Sequence, residues 1–245
     1  ETGYPPLEAP YYEDTLLEIS QEGEVLREIS AVGLFFENGL EYLLLSNGSF
    51  EVTAVNGQHR EVVHLNDIEP LSSEMAPLFT QFSPGDLLLS FRHFNLIMVV
   101  DPETETIKWH QTGPWIRQHD PDFSRDGRIS LFNNNVDNDG GRVFGGSNLM
   151  EVDAESRDVT TLFSTVEGAS WYTQVRGKHQ LLANGNTLVV ESRAGRIFEA
   201  TPAGEIVWEF INRYDEDEVA QVSDAVRYPA DYFTAGDWSC GPPIQ

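Results

Sequence analysis

Three stretches of this chain follow one plan, and that plan restricts the possible folds more than any other feature. Each opens on a histidine, passes a turn glycine into an apolar run, and carries a polar residue seven places after the glycine. His64-Leu65-Asn66-Asp67 leads to Gly85 and Arg92, His119-Asp120-Pro121-Asp122 to Gly127 and Asn134, and His179-Gln180-Leu181 to Gly185 and Ser192. A second turn follows in each (Asp101-Pro102, Asp153-Ala154, Thr201-Pro202), then a third run ending near Trp109, Phe163 and Phe210. Histidines 55 and 60 residues apart leave room for one four-stranded antiparallel sheet per unit. Radial repetition of such sheets predicts an all-β fold, a β-propeller. Equivalent positions of successive blades lie on a ring, so the repeat predicts that His64, His119 and His179 converge. The plainer role for each is to cap a turn or bond a neighbouring backbone.

Charge narrows the function. A net charge of −25 argues against nucleic acid or an anionic membrane as partner, since both require clustered Lys and Arg. An anionic small molecule would need local cations, and Arg92, Arg117, Lys178 and the histidines are the nearest to the expected channel. The apolar stretches fall short of the roughly 18 residues of a membrane span. One cysteine, Cys240, allows no intrachain disulfide. Asn47-Gly48-Ser49 is a glycosylation acceptor if the chain passes a eukaryotic secretory route.

In chain order, residues 1–12 read as an extended segment, 13–214 as the propeller with an insertion at 31–62, and 215–245 as an acidic, aromatic tail packing on it. Asp14 to Ser20 and Glu24 to Ser30 read as a hairpin around Gly23, Val32 to Leu45 as helix, and Glu74 to Phe79 as a short helix. The loop Asn133 to Gly146 contains Asn135-Val136-Asp137-Asn138-Asp139-Gly140, which has calcium-loop spacing without a glutamate at the twelfth position. It is read as a polar loop with a weak calcium alternative, and no other cofactor is expected.

These segments resemble the bacterial arylsulfotransferases (aryl-sulfate sulfotransferases). The resemblance rests on His64-Leu65-Asn66-Asp67, Leu88-Leu89-Ser90-Phe91-Arg92-His93, Thr112-Gly113-Pro114-Trp115-Ile116-Arg117-Gln118-His119-Asp120-Pro121-Asp122-Phe123, and Arg176-Gly177-Lys178-His179-Gln180. It implies a propeller, six-bladed in relatives, that moves a sulfuryl group from a phenolic sulfate ester to a phenolic acceptor. No nucleotide donor is used, and a sulfohistidine is the intermediate. By motif His119 would be the nucleophile, His64 and Asn66 the His-x-Asn pair, and Arg92 the sulfuryl-binding arginine. His179, Asn134, Trp115 and Arg117 are the candidates for substrate contacts, and the setting would be periplasmic or secreted. Relatives often carry Phe-Asp-Asn where this chain has Phe132-Asn133-Asn134, and they have further blades and another active-site histidine upstream. A separate chain or fragment completing the ring is therefore an expected partner.

Two other functions fit the same residues. Three converging histidines could hold zinc or copper, and an acidic propeller with an aromatic tail could be a non-catalytic binding or assembly module.

Overall fold

The computed structural model describes residues 11–46, 60–229 and 231–233. Residues 1–10 of the extended segment, the acceptor at Asn47, Trp238 and Cys240 lie outside that range. The chain is a β-propeller assembly whose units are four-stranded antiparallel sheets. Blade 1 comprises β5 (Leu65–Pro70), β6 (Leu87–Phe91), β7 (Leu96–Asp101) and β8 (Thr106–Thr112). Blade 2 comprises β9 (His119–Phe123), β10 (Ile129–Asn133), β11 (Asn148–Val152) and β12 (Val159–Phe163). Between the blades β13 (Thr165–Val166) pairs with β14 (Ala169–Ser170), and blade 3 comprises β15 (Lys178–Leu181), β16 (Thr187–Glu191), β17 (Arg196–Ala200) and β18 (Ile206–Ile211). Upstream lie β1 (Tyr11–Tyr12), the hairpin β2 (Thr15–Ile19) and β3 (Val25–Ser30), helices α1 (Ala31–Glu37) and α2 (Glu41–Ser46), and β4 (Arg60–Glu61), which pairs with β1.

The continuous apolar runs follow from burial on both faces. Leu89, Phe91, Leu96, Met98 and Val100 pack toward α1 and the hairpin, while the alternating Leu88, Ile97 and Val99 pack against Ile129 and Leu131 of blade 2. Phe132 then turns to the third cluster, with Trp171, Val189 and Phe198. Helices α1 and α2 pack on blade 1: Ser30 caps α1 by accepting the Gly33 N–H at 2.8 Å, and Asn38 ties its end to β8 through Ile107 N–H at 2.9 Å. The 74–79 segment contains one tight helical turn, Ala76–Leu78.

The tail runs back along blade 3. Val222 N–H donates to Ser192 O, Arg227 N–H to the Gln180 side chain, and Arg227 pairs with Glu199. Its aromatic residues Tyr228, Tyr232 and Phe233 stack on one another and stay exposed. The acidic run is a turn closed by Asp215, which accepts from Asp217 and Glu218 N–H.

Candidate functional site

The innermost strands β5, β9 and β15 run in the same direction. Lys178, at the start of β15, reaches Asp120 in β9 at 2.5 Å and Asp67 in β5 at 3.3 Å, whereas near the far end Phe123 N–H donates to Glu69 at 3.0 Å. Two bulges shape the near end: β5 carries an extra residue at Asn66 opposite Phe91 and Ser90, and β9 carries one at Asp120-Pro121 opposite Ser130 and Phe132. A bulge re-aims side chains and accommodates the proline, which has no N–H for the ladder. His64, Arg117, Asp120 and Arg176 all adopt left-handed backbone there, at φ 53 to 60°. Non-glycine residues in that region are costly and cluster at functional sites.

His119 is the best-defined member. Its Nδ1 lies 2.6 Å from Asn134 Oδ1 and 3.1 Å from Arg117 O. Asn134 donates its amide to Thr173 O at 2.9 Å and Arg176 O at 2.6 Å, so its oxygen is left to accept. Both neighbours of Nδ1 are therefore acceptors, the proton sits on Nδ1, and Nε2 keeps its lone pair. Arg176 N–H touches Nε2 at a long 3.3 Å. Burial, offset in part by the Asn134 bond and reinforced by the charges of Arg92 and His64, lowers this imidazole to about 4. It is neutral at physiological pH.

Arg92 and Arg117 are neighbours: the Arg92 guanidinium is depressed by burial first and by the charge of Arg117 second. Among the described residues neither guanidinium makes a hydrogen bond or ion pair, unusual in so acidic a protein. His64 bonds Glu61 through Nδ1 at 2.6 Å and packs against His93 with ring centroids 4.9 Å apart. Burial, then the charges of His64 and Arg117, lower His93 to about 4. Asn66 donates to Gln118 O at 2.8 Å, and its buried Oδ1 has no partner.

The structure brings His119, His64, Arg92, Arg117 and Asn134 together and sends two candidates elsewhere. Trp115 is 1% exposed in the core between blades 1 and 2, so it packs rather than stacks on a ligand. His179 is buried with both nitrogens engaged, Nδ1 with Asp120 at 2.9 Å and Nε2 with Ser130 Oγ at 2.9 Å. The reason is register. His119 pairs with Phe132 and Lys178 with Val190, each five residues after its turn glycine, so Lys178 is the counterpart of His119. His179 is one residue out of step and its side chain faces the other way. The three histidines thus form no metal centre: the sets of possible ligands that converge among the described residues are Glu61, His64, His93 and Asp120, Asp122, His179. Asn134 positions His119 rather than substrate. Asn133, in the place of the relatives' aspartate, accepts Ile116 N–H at 2.8 Å and so braces the loop carrying Arg117.

In the Asn135–Asp139 loop the Asp137 carboxylate accepts four backbone N–H groups, from Asp139, Gly141, Val143 and Phe144. Desolvation would raise it, yet these bonds hold it at about 2. A calcium loop converges oxygens on a cation; this one converges N–H groups on a carboxylate.

Below the histidine end lies an ionic cluster that the motif reading missed. Burial pushes Asp120 up, but the His179 bond and the charges of His179 and Lys178 more than offset it, and its carboxyl ends low. Burial raises Asp67 to about 6 despite Lys178. Ser130, His179 and Asp120 have the hydrogen-bond order of a nucleophilic triad. Ser130 is, however, fully buried, and its cross-strand partner is the carboxyl-bearing Asp122 rather than a donor that could hold an oxyanion. The line is a brace between blades 2 and 3. The overlooked signal was acidic residues at alternate positions of the inner strands, Asp67 with Glu69 and Asp120 with Asp122.

Glu69 and Asp122 are bonded to each other and both titrate high, burial being the first cause in each. The folded protein keeps a proton that the unfolded chain releases near pH 4, so this pair's contribution to stability declines as pH rises from there through the raised range. Asp122→Asn is expected to flatten that decline, measured by thermal denaturation from pH 5 to 9. The Asp122 side chain is 37% exposed, so solvent screening limits the gain at pH 8 to about 1 kcal/mol.

Comparison with known proteins completes the picture. Similar solved structures include a protein of unknown function from Bacteroides caccae (14% identity, TM-score 0.48, covering 80% of this chain and 59% of that one). Virginiamycin B lyase from Staphylococcus aureus is also similar (14%, 0.42, 80% and 48%), as is the Pan2 WD40 domain of Neurospora crassa (14%, 0.38, 78% and 45%). The chain therefore spans less than two thirds of each. No curated protein matches it. The sequence model of the arylsulfotransferase (ASST) family matches residues 5–213, a span that holds every site residue described above, and the chain belongs to that family.

Proposed function

We propose that this chain moves a sulfuryl group from a phenolic sulfate ester to a phenolic acceptor through a sulfohistidine at His119. The observation that supports the reading is a neutral, Nδ1-protonated His119 whose Nε2 accepts one long bond from Arg176 N–H, beside two guanidiniums that form no ion pair among the described residues. In the first step the Nε2 lone pair attacks sulfur, the sulfur–oxygen bond to the aryl group breaks, and the phenolate takes a proton from His64. Arg92 and Arg117 hold the sulfuryl oxygens as charge spreads over them, with Asn66 at the edge of the site. In the second, the acceptor hydroxyl oxygen attacks sulfur, the nitrogen–sulfur bond breaks, and the hydroxyl proton returns to His64. Glu61, bonded to His64 Nδ1, steadies the imidazolium that donates in the first step and is restored by the second.

Incubation with 4-nitrophenyl sulfate and phenol tests the reading. Nitrophenolate release is expected together with a His119 peptide heavier by one sulfuryl group in mass spectrometry. A folded sample that releases none, with or without added acceptor, would move the reading to a non-catalytic anion-binding module.

A further inference from the structure

At the far end of the inner strands a cavity of about 390 Å³ opens between blades 2 and 3, lined by Glu69, Asp122, Ser130, Glu151, Gln180 and Leu182. Asp122, Ser130 and Glu151 are successive cross-strand partners on β9, β10 and β11, so they form one row across blade 2. Two strand spacings, about 10 Å, separate the two carboxylate-bearing backbones. Glu69 joins Asp122 by a hydrogen bond. Glu151 is 8% exposed, lines the cavity, and its carboxylate makes no hydrogen bond or ion pair among the described residues. The charge of Arg128 offsets this carboxylate only from beyond ion-pair distance, so a cation in the cleft would stabilise it further.

That cation is not a single metal ion. Glu69, Asp122 and Glu151 do not bring ligand atoms within 4.8 Å of one another. The cavity is far larger than an ion, and Met75, Phe123 and Leu182 give it apolar wall. Two separated negative points joined by such a wall suit two ammonium groups on an alkyl chain. We propose that this cleft binds an aliphatic diammonium ion, one nitrogen on the Glu69–Asp122 pair and the other on Glu151, with the methylenes over Ser130. The site is separate from His119 and independent of sulfuryl transfer.

Binding displaces the proton held between Glu69 and Asp122. The groups facing that pair are Asp67, Asp120 and His179, and those facing Glu151 are Asp126, Arg128 and His179. Isothermal titration of the whole chain with 1,4-diaminobutane at pH 7, in two buffers of different ionisation enthalpy, reads both affinity and proton release. One diamine per chain with net proton release is expected, and butylamine should bind at least tenfold more weakly. Glu151→Gln should cost at least tenfold, whereas the exposed Glu216→Gln, which removes the same charge, should leave the affinity unchanged. Equal weakening by both variants would reduce the effect to general attraction by an acidic surface and overturn the proposal. So would absence of binding to the unaltered protein, or calcium chloride binding more tightly than the diamine.

Discussion

Replacing His119 with alanine is expected to lower sulfuryl transfer from 4-nitrophenyl sulfate by roughly 10⁴-fold or more, the scale of losing a covalent nucleophile. The fold should persist: the ring is half-buried, and its removal costs one contact each to Asn134 Oδ1, Arg117 O and Arg176 N–H, while Asn134 stays fixed through its amide bonds to Thr173 O and Arg176 O. Binding of the sulfate ester should change little, because Arg92 and Arg117 remain. The measurement is therefore a pair, single-turnover release of nitrophenolate and the dissociation constant of the ester by calorimetry. Loss of both together would assign His119 to binding rather than attack. In the unaltered protein the donor half-reaction should keep its His119 lone pair down to about pH 4, where the lowered imidazole protonates. Transfer persisting in the alanine variant would remove His119 from the nucleophile role.

The second large effect concerns stability. Asp120 is 3% exposed and holds Lys178 Nζ, His179 N–H and His179 Nδ1 together. Asp120→Ala is expected to destabilise the fold by about 3 kcal/mol, because it leaves the buried His179 without its counter-charge, while Lys178, 37% exposed, keeps Asp67. Urea denaturation at pH 7 measures it. The pH dependence has two limbs. Asp120 is depressed on folding, so its contribution is present above the ordinary carboxylate range and disappears as pH falls through its lowered value. His179 is raised, against burial, by its bond to Asp120, so its contribution is full below about pH 6.5 and fades as pH rises through the raised value. An unchanged urea midpoint in the alanine variant would show that the cluster contributes nothing to the fold.

Much of this architecture could be read from turns and apolar runs. Gly85, Gly127 and Gly185 mark the β5–β6, β9–β10 and β15–β16 turns, and the runs at 87–91, 129–133 and 187–191 are strands as expected. The site was half legible. His64, Arg92 and His119 were visible because their motifs are local, and the histidine spacing led to the right end of the strands. It misled at His179, since counting along the chain cannot register the extra residues at Asn66 and Asp120-Pro121. One residue of slip exchanges the faces of a strand, and only pairing reveals that Lys178 occupies the position of His119. Trp115 failed for a different reason: an aromatic residue beside a motif has the same signature whether it meets a ligand or fills a core. The ionic cluster was hidden because its members come from three blades, Asp67, Asp120 and Lys178, which nothing but the fold brings together.

The shared direction of the inner strands also shapes the field that an incoming molecule meets. From His119 to Asp122 is three residues of strand, about 10 Å or less, and over that length the surroundings pass from Arg92 and Arg117 to Glu69 and Asp122. The local charge changes sign along the strands, within a chain whose net charge is −25 and which repels anions at long range. On the proposed function an aryl sulfate, an anionic head on a neutral ring, would be turned before contact, head toward the arginines. The same gradient opposes movement of any anion from the arginines toward Glu69 and Asp122, so negative charge is held at the histidine end of the strands.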